Sequence, residues 1–267
     1  MKRGLCKLCR FDRELVVSHL IPAALYAYVR DPHMSPVRVG DGIVIPNDRQ
    51  TQDHLLCSSC ESVLNKGGES WVAPKFATVA QSFPLYDLVT SQPAIIDDGN
   101  DRMYFTASNP LIKSDALTHF AIGIFWKASV HSWKGDKREP LIELGPYADR
   151  LRCWLLHETG FPEDICLVVE LSKPGQALIT LNPPFEKCRE GWRTFFMHLL
   201  GVSFTLEVGS GIDPAMKQFC FCRNPVHPIL ISEDLTALTK GQQAKHFVEQ
   251  RQTRAYLSAR AKRESRK

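Results

Sequence analysis

Apolar positions recur along this chain with two different periods, and the change from one to the other divides it. Residues 14–17 form a short, partly β-branched run that reads as a strand. Pro22 then suits the first turn of a helix continued by Ala23, Ala24, Leu25, Tyr26, Ala27, Tyr28 and Val29. From 31 to 52, Pro32, Pro36, Gly40, Gly42 and Pro46 impose an irregular excursion with one short strand at 42–45. A further helix is expected to begin after His54-Leu55-Leu56-Cys57. Residues 72–115 read as connection and short helix, punctuated by Pro74, Pro84, Pro93 and the turn at Asp97-Asp98-Gly99-Asn100. Leu117, Phe120, Ala121, Ile124, Phe125 and Ala128 then form an apolar stripe, predicting a long helix over 115–133 capped by Ser114 or Asp115. Leu151, Trp154 and Leu155 mark a second helix over 147–158. Beyond it the period shortens. Segments 165–171, 177–181, 194–199 and 202–208 are β-rich, and Gly201 marks a hairpin or a bulge. A last helix starts near Leu235. The expected class is α+β, with a small module over 1–71, a domain of helices and antiparallel sheet over 72–239, and a basic helical tail over 240–267.

Composition adds limits. With 267 residues, 44% hydrophobic and 23% charged, the chain has the make-up of an ordinary globular protein. It has no run of about 18 apolar residues, so no membrane contact is expected. Met1-Lys2-Arg3-Gly4-Leu5-Cys6 lacks the apolar stretch of a secretory signal. A cytoplasmic location with reduced cysteines is expected, and the odd count of nine speaks against a disulfide framework. The net charge is only +4, but nine basic and two acidic residues after Thr239 give the tail +7 and leave −3 elsewhere. Lys245, Arg251, Arg254, Arg260, Lys262 and Arg263 are therefore candidate phosphate contacts, and nucleic acid is the expected polyanion. The same pattern also suits a solvated helix end.

Cys6-x-x-Cys9 and Cys57-x-x-Cys60 carry the clearest chemistry. One Cys-x-x-Cys pair fits a turn whose backbone N–H groups point at the sulfurs, and two pairs close a tetrahedral shell suited to zinc. Four thiolates fill that shell, so the zinc is expected to be structural. Cys220-Phe221-Cys222, with Cys188 and His227, is a weaker candidate. On a strand its two thiols share one face at a poor chelating distance, which favours core packing. Cys153 and Cys166 lie in apolar runs. The chain has no Walker-type phosphate loop and no Gly-x-Ser-x-Gly elbow, which argues against an ATPase or a serine hydrolase.

Ser18-His19-Leu20-Ile21-Pro22 after a strand, with Leu56-Cys57-x-x-Cys60-Glu61 and Asn65-Lys66 opening a helix, resembles the HNH, or ββα-metal, endonucleases of the treble-clef type. The closest subset carries Ser-His-Ile-Ile-Pro and Cys-x-x-Cys-Glu. The likeness covers residues 5–71, with a looser similarity through 120–130 and 151–155. It implies a zinc-clamped ββα module and hydrolysis of phosphodiester bonds in DNA or, less favoured, RNA. It also implies a setting in bacterial defence or mobile elements. His19 would be the general base, and Glu61, with Glu69 as a further ligand, would hold catalytic Mg²⁺ or Mn²⁺. On a regular helix Glu61, Asn65 and Glu69 share a face, although Gly67 and Gly68 weaken it. The sequence departs from the family pattern in three places. Ser18 replaces a metal-binding Asp, Glu61 replaces the final His or Asn, and the central Asn has only Gln52 or Asp53 nearby. His54 is an optional ligand. The competing expectation is a zinc-stabilised module that binds nucleic acid or a protein without cutting, the 72–239 region being a possible protein interface.

Overall fold

The fold is given by a computed structural model. It describes residues 2–30, 50–78, 80, 82–99, 101–133, 140–174, 180–188 and 192–232, and the backbone of 37–40 and 43–46. Residues 2–29 and 50–232 belong to one compact unit. In order they form β1 (Lys2–Leu5), β2 (Asp12–His19) and α1 (Ala23–Tyr28), then β5 (Gln52–Cys57) and α2 (Ser58–Leu64). A π-helical turn, Asn65–Glu69, runs on into α3 (Ser70–Val72). There follow α4 (Pro84–Thr90), β6 (Ile96–Asp97), β7 (Asp101–Phe105), α5 (Ser114–Val130) and α6 (Tyr147–Leu155). The chain then runs through β8 (Ile165–Ser172), β9 (Leu181–Cys188), β10 (Arg193–Leu199), β11 (Val202–Val208), α7 (Pro214–Gln218) and β12 (Pro228–Ser232). The second unit contributes one described feature, the antiparallel hairpin of β3 (Val37–Gly40) and β4 (Ile43–Pro46). The expected helix from Leu235 and the strand expected at 177–181 lie largely outside the described residues.

The α+β class holds, with two amendments. The large sheet is mixed rather than antiparallel. Its order is β6-β7-β12-β8-β11-β10-β9, and β12 runs parallel to β8. It also recruits β6, β7 and β12, short strands too weakly patterned to be expected. One face of β8, β10 and β11 (Leu167, Val169, Phe195, Met197, Phe204, Leu206) joins the main core, while Cys166 and Val168 look the other way into a smaller cluster. β9 forms an edge of the sheet and carries Pro183-Pro184. No helix among the described residues is long and apolar enough to cross a membrane.

The N-terminal sheet, β1-β2-β5, is antiparallel throughout, with a register shift around Leu55. It meets the rest of the unit through α5. The apolar stripe predicted an amphipathic helix, but residues 117–128 are buried on every side. A helix in that position must be flanked on all faces. Phe120 packs on Phe76 (5.4 Å between centroids) and on Phe204 of β11 (6.2 Å), so α5 joins the N-terminal part of the unit to the large sheet.

Gly67 and Gly68 make this packing possible. A Cβ on Gly68 would lie 2.5 Å from the Ala116 carbonyl oxygen and 2.7 Å from the Phe120 nitrogen, and one on Gly67 would enter the His119 ring. The glycine pair, read from sequence as a weak turn, is the contact surface for α5. His119 is buried there, with Nε2 on the Leu155 carbonyl at 3.2 Å and Nδ1 without a hydrogen-bond partner. Burial holds its pKa below the ordinary histidine value.

Two predictions follow from this contact. Gly68→Ala should destabilise the fold by about 1–3 kcal/mol, the usual cost of overpacking a rigid contact, read as a lower urea midpoint with unchanged secondary structure. Burial lets His119 stay neutral to lower pH in the fold than in the unfolded chain, which gains a proton there as pH falls through about 6.5. Its share of stability is therefore complete above that pH and lost on acidification. Urea midpoints measured at pH 7.5 and 5.5 should differ less in His119→Gln than in the parent.

Candidate metal centre and the adjoining histidine site

Cys6 and Cys9 occupy the tight turn between β1 and β2. The turn closes through Arg10 N–H to the Cys6 carbonyl (2.9 Å) and Cys6 N–H to the Phe11 carbonyl (3.0 Å), with Arg10 in the left-handed region at φ 62°. Cys57 ends β5 and Cys60 lies in the first turn of α2. All four Sγ atoms lie within 4.8 Å of one another, with Cys9 and Cys57 at 4.0 Å. A tetrahedral Zn–S shell of about 2.3 Å bonds needs sulfurs about 3.8 Å apart, so the cage is close to closure. The Cys57 N–H donates to the Cys6 sulfur at 3.3 Å, as a thiolate ligand requires. A hydrogen bond from the Cys60 thiol draws Cys6 down to about 4, while Cys60 keeps its proton. These four thiols can hold a metal such as zinc. Among the described residues they are the one group of three or more His, Cys, Asp or Glu whose ligand atoms converge this closely.

α6 anchors the turn from outside. Arg152 donates to the Leu8 carbonyl at 3.2 Å and to Asp149 at 2.8 Å, and Asp149 also receives Arg10.

The clamp positions the end of β2 against α2. Ser18 is fully buried, accepts the Leu56 N–H at 3.2 Å and hydrogen-bonds the Glu61 carboxylate. Glu61 Oε1 is buried with no hydrogen-bond partner. Burial raises the Glu61 pKa, against the pull of the Ser18 hydrogen bond and the Lys127 charge. His19 is half-buried at the strand end, close enough for its charge to act on Glu61. Its imidazole makes no hydrogen bond among the described residues.

Of the sequence-predicted set, His19 and Glu61 are brought together. Glu69 also belongs to this neighbourhood, but its Oε1 is engaged by Lys127 Nζ at 3.3 Å. The π turn alters the expected face, leaving Asn65 exposed while Glu61 and Glu69 are half-buried. His54 sits beside Asp53 rather than at Glu61. Its N–H donates to Asp53 Oδ1 at 2.8 Å, and Asp53 Oδ2 meets His131 Nε2 at 3.2 Å. Lys245, Arg251, Arg254, Arg260, Lys262 and Arg263 lie outside the described residues.

Sequence reasoning missed Lys127 and His131, which the last turns of α5 carry to the β2–β5 end. Lys127 is 2% exposed and its Nζ donates to the His19 carbonyl at 2.8 Å. Its one sequence signal was a lysine inside an otherwise apolar run, Ile124-Phe125-Trp126-Lys127-Ala128. His131 lies beyond the stripe and had none.

Comparison with protein-family models, with curated proteins and with solved structures finds no match.

Zinc held by four thiolates should survive chelation that removes weaker ions. Protein dialysed against EDTA at neutral pH is expected to retain one zinc per chain by elemental analysis. Cys57→Ser should retain none and lose the cooperative melting of its N-terminal sheet.

Proposed function

We propose that the chain is a zinc-clamped, HNH-like endonuclease that hydrolyses phosphodiester bonds in nucleic acid, with DNA favoured over RNA. The observation that carries this reading is the pairing of an unengaged imidazole, His19, with a carboxylate whose Oε1 is buried and unpartnered, Glu61. Both stand on elements fixed by the four-thiol cage. An orphaned carboxylate oxygen inside a protein costs free energy unless a proton or a cation meets it. The Glu61 carboxylate suits a hard divalent ion such as Mg²⁺ or Mn²⁺, and leaves the His19 imidazole to act as base. Glu69 is the poorer ligand, because a buried ammonium already neutralises it.

When bound, such an ion would supply charge to the scissile phosphate and the leaving oxygen. The chain's own residues do the rest. His19 takes a proton from the attacking water. Lys127 fixes the His19 backbone through its carbonyl and so sets where the imidazole sits. Ser18 holds Glu61 toward the strand end. The basic tail attracts phosphates without reading sequence.

A second reading rests on the same contacts. Ser18 spends its hydroxyl on Glu61 and Lys127 neutralises Glu69, so the family's Asp position and the added carboxylate are both satisfied internally. This favours a non-catalytic zinc-stabilised module that binds nucleic acid or a protein.

The two readings part on cleavage. Full-length protein should be incubated with plasmid, linear duplex, single-stranded DNA and RNA, with and without Mg²⁺ or Mn²⁺. Under the nuclease reading, cutting requires added ion, and His19→Ala lowers it by roughly 10²–10⁴-fold while zinc content stays unchanged. Binding without cutting on every substrate assigns the second reading.

A further inference from the structure

On the face of the large sheet turned away from α5, a second set of thiols comes together. The sequence pattern placed Cys220 and Cys222 on a strand, where their spacing chelates poorly. The structure places them instead in the turn that follows α7, closed by the Asn224 N–H on the Cys220 carbonyl at 3.0 Å. That turn brings the two sulfurs to 3.5 Å. Cys166 of β8 adds a third thiol, hydrogen-bonded to Cys220 and 3.7 Å from the Met216 carbonyl. Cys220 is thus a hub with one thiol on either side.

The surroundings differ from an ordinary apolar core. Cys166 pairs across the sheet with Glu207, which is fully buried, and Glu207 pairs with Thr194. Thr194 Oγ1 is buried without a hydrogen-bond partner, as is Nε1 of Trp192, a residue packed against this cluster. Val168, Ile212, Phe219 and Leu230 help to shut the site off, and Cys222 is the thiol that keeps partial exposure. The site therefore gathers three soft sulfurs and one carboxylate and lies mostly out of water.

We propose that Cys166, Cys220 and Cys222, with Glu207 beside them, form a second binding site for a thiophilic divalent ion of the zinc and cadmium class. Thiolates select soft or borderline ions, and the neighbouring carboxylate favours a divalent charge over a monovalent one. The sulfurs are arranged through a hub rather than as a closed cage, so binding needs the outer two thiols to turn inward and release their protons. This site should consequently hold its ion less tightly than the N-terminal one. His227, the other candidate in the sequence, donates its Nδ1–H to the Phe221 carbonyl at 2.7 Å and is not needed to complete the set.

The test is cadmium titration of reduced, full-length protein after EDTA dialysis, followed by thiolate-to-metal absorbance and by elemental counting of zinc and cadmium together. The proposal expects two ions per chain in the parent and one in Cys220→Ser. It also expects one in Cys222→Ser, whose partly buried position is the safer substitution for folding. A single ion per chain in the parent would overturn it. So would two ions in folded Cys220→Ser and Cys222→Ser, or a Cys220–Cys222 disulfide, seen as a two-dalton mass loss, that forms in place of metal uptake.

Discussion

A buried ammonium group joins the parts of this molecule. Lys127 lies in the most enclosed stretch of α5, where burial of an unpaired charge would be prohibitive. It is tolerated because Nζ has two oxygens to meet, the His19 carbonyl and the Glu69 carboxylate. These belong to β2 and to the π turn, so a single side chain ties the central helix to both the strands and the helices around the four-cysteine cage. Buried pairs of this kind add little net stability, yet breaking one leaves a charge stranded. The arrangement therefore fixes which surfaces meet more than it deepens the fold. Gly67 and Gly68 follow from the same constraint, because Glu69 reaches Lys127 only if the preceding turn lies directly on α5.

Much of the framework was legible in the residues themselves. The doubled Cys-x-x-Cys spacing implied a thiol cage, and the four sulfurs do converge. The long apolar stripe implied α5, and the β-rich runs of 165–171, 194–199 and 202–208 became β8, β10 and β11. The failures share a cause. Period and spacing report on neighbours along the chain, whereas β12 beside β8, Asp53 beside His131, and Lys127 beside His19 join segments tens of residues apart. Cys220 and Cys222 failed in another way. Phe219-Cys220-Phe221-Cys222 alternates like a strand, but α7 and the Asn224 contact wind it into a turn, so tertiary context overrode the local pattern.

The histidine site shows how far a motif carries. Ser18, His19 and Glu61 are adjacent for a local reason, since β2 and α2 are held by one cage. What the motif left out is the internal chemistry around them. A hydroxyl committed to Glu61 and an ammonium committed to Glu69 set the charge that any incoming phosphate or cation would meet. The hydroxyl belongs to the motif itself, whereas the ammonium comes from α5, outside residues 5–71.

The edges of the large sheet carry a separate consequence. At one end β6 is only two residues long, and at the other β9 presents Pro183-Pro184, which lack amide hydrogens. An incoming extended chain would find too short a ladder on one side and missing donors on the other. Among the described residues the sheet thus has seven strands, and neither of its outermost strands offers a full ladder for edge-to-edge stacking.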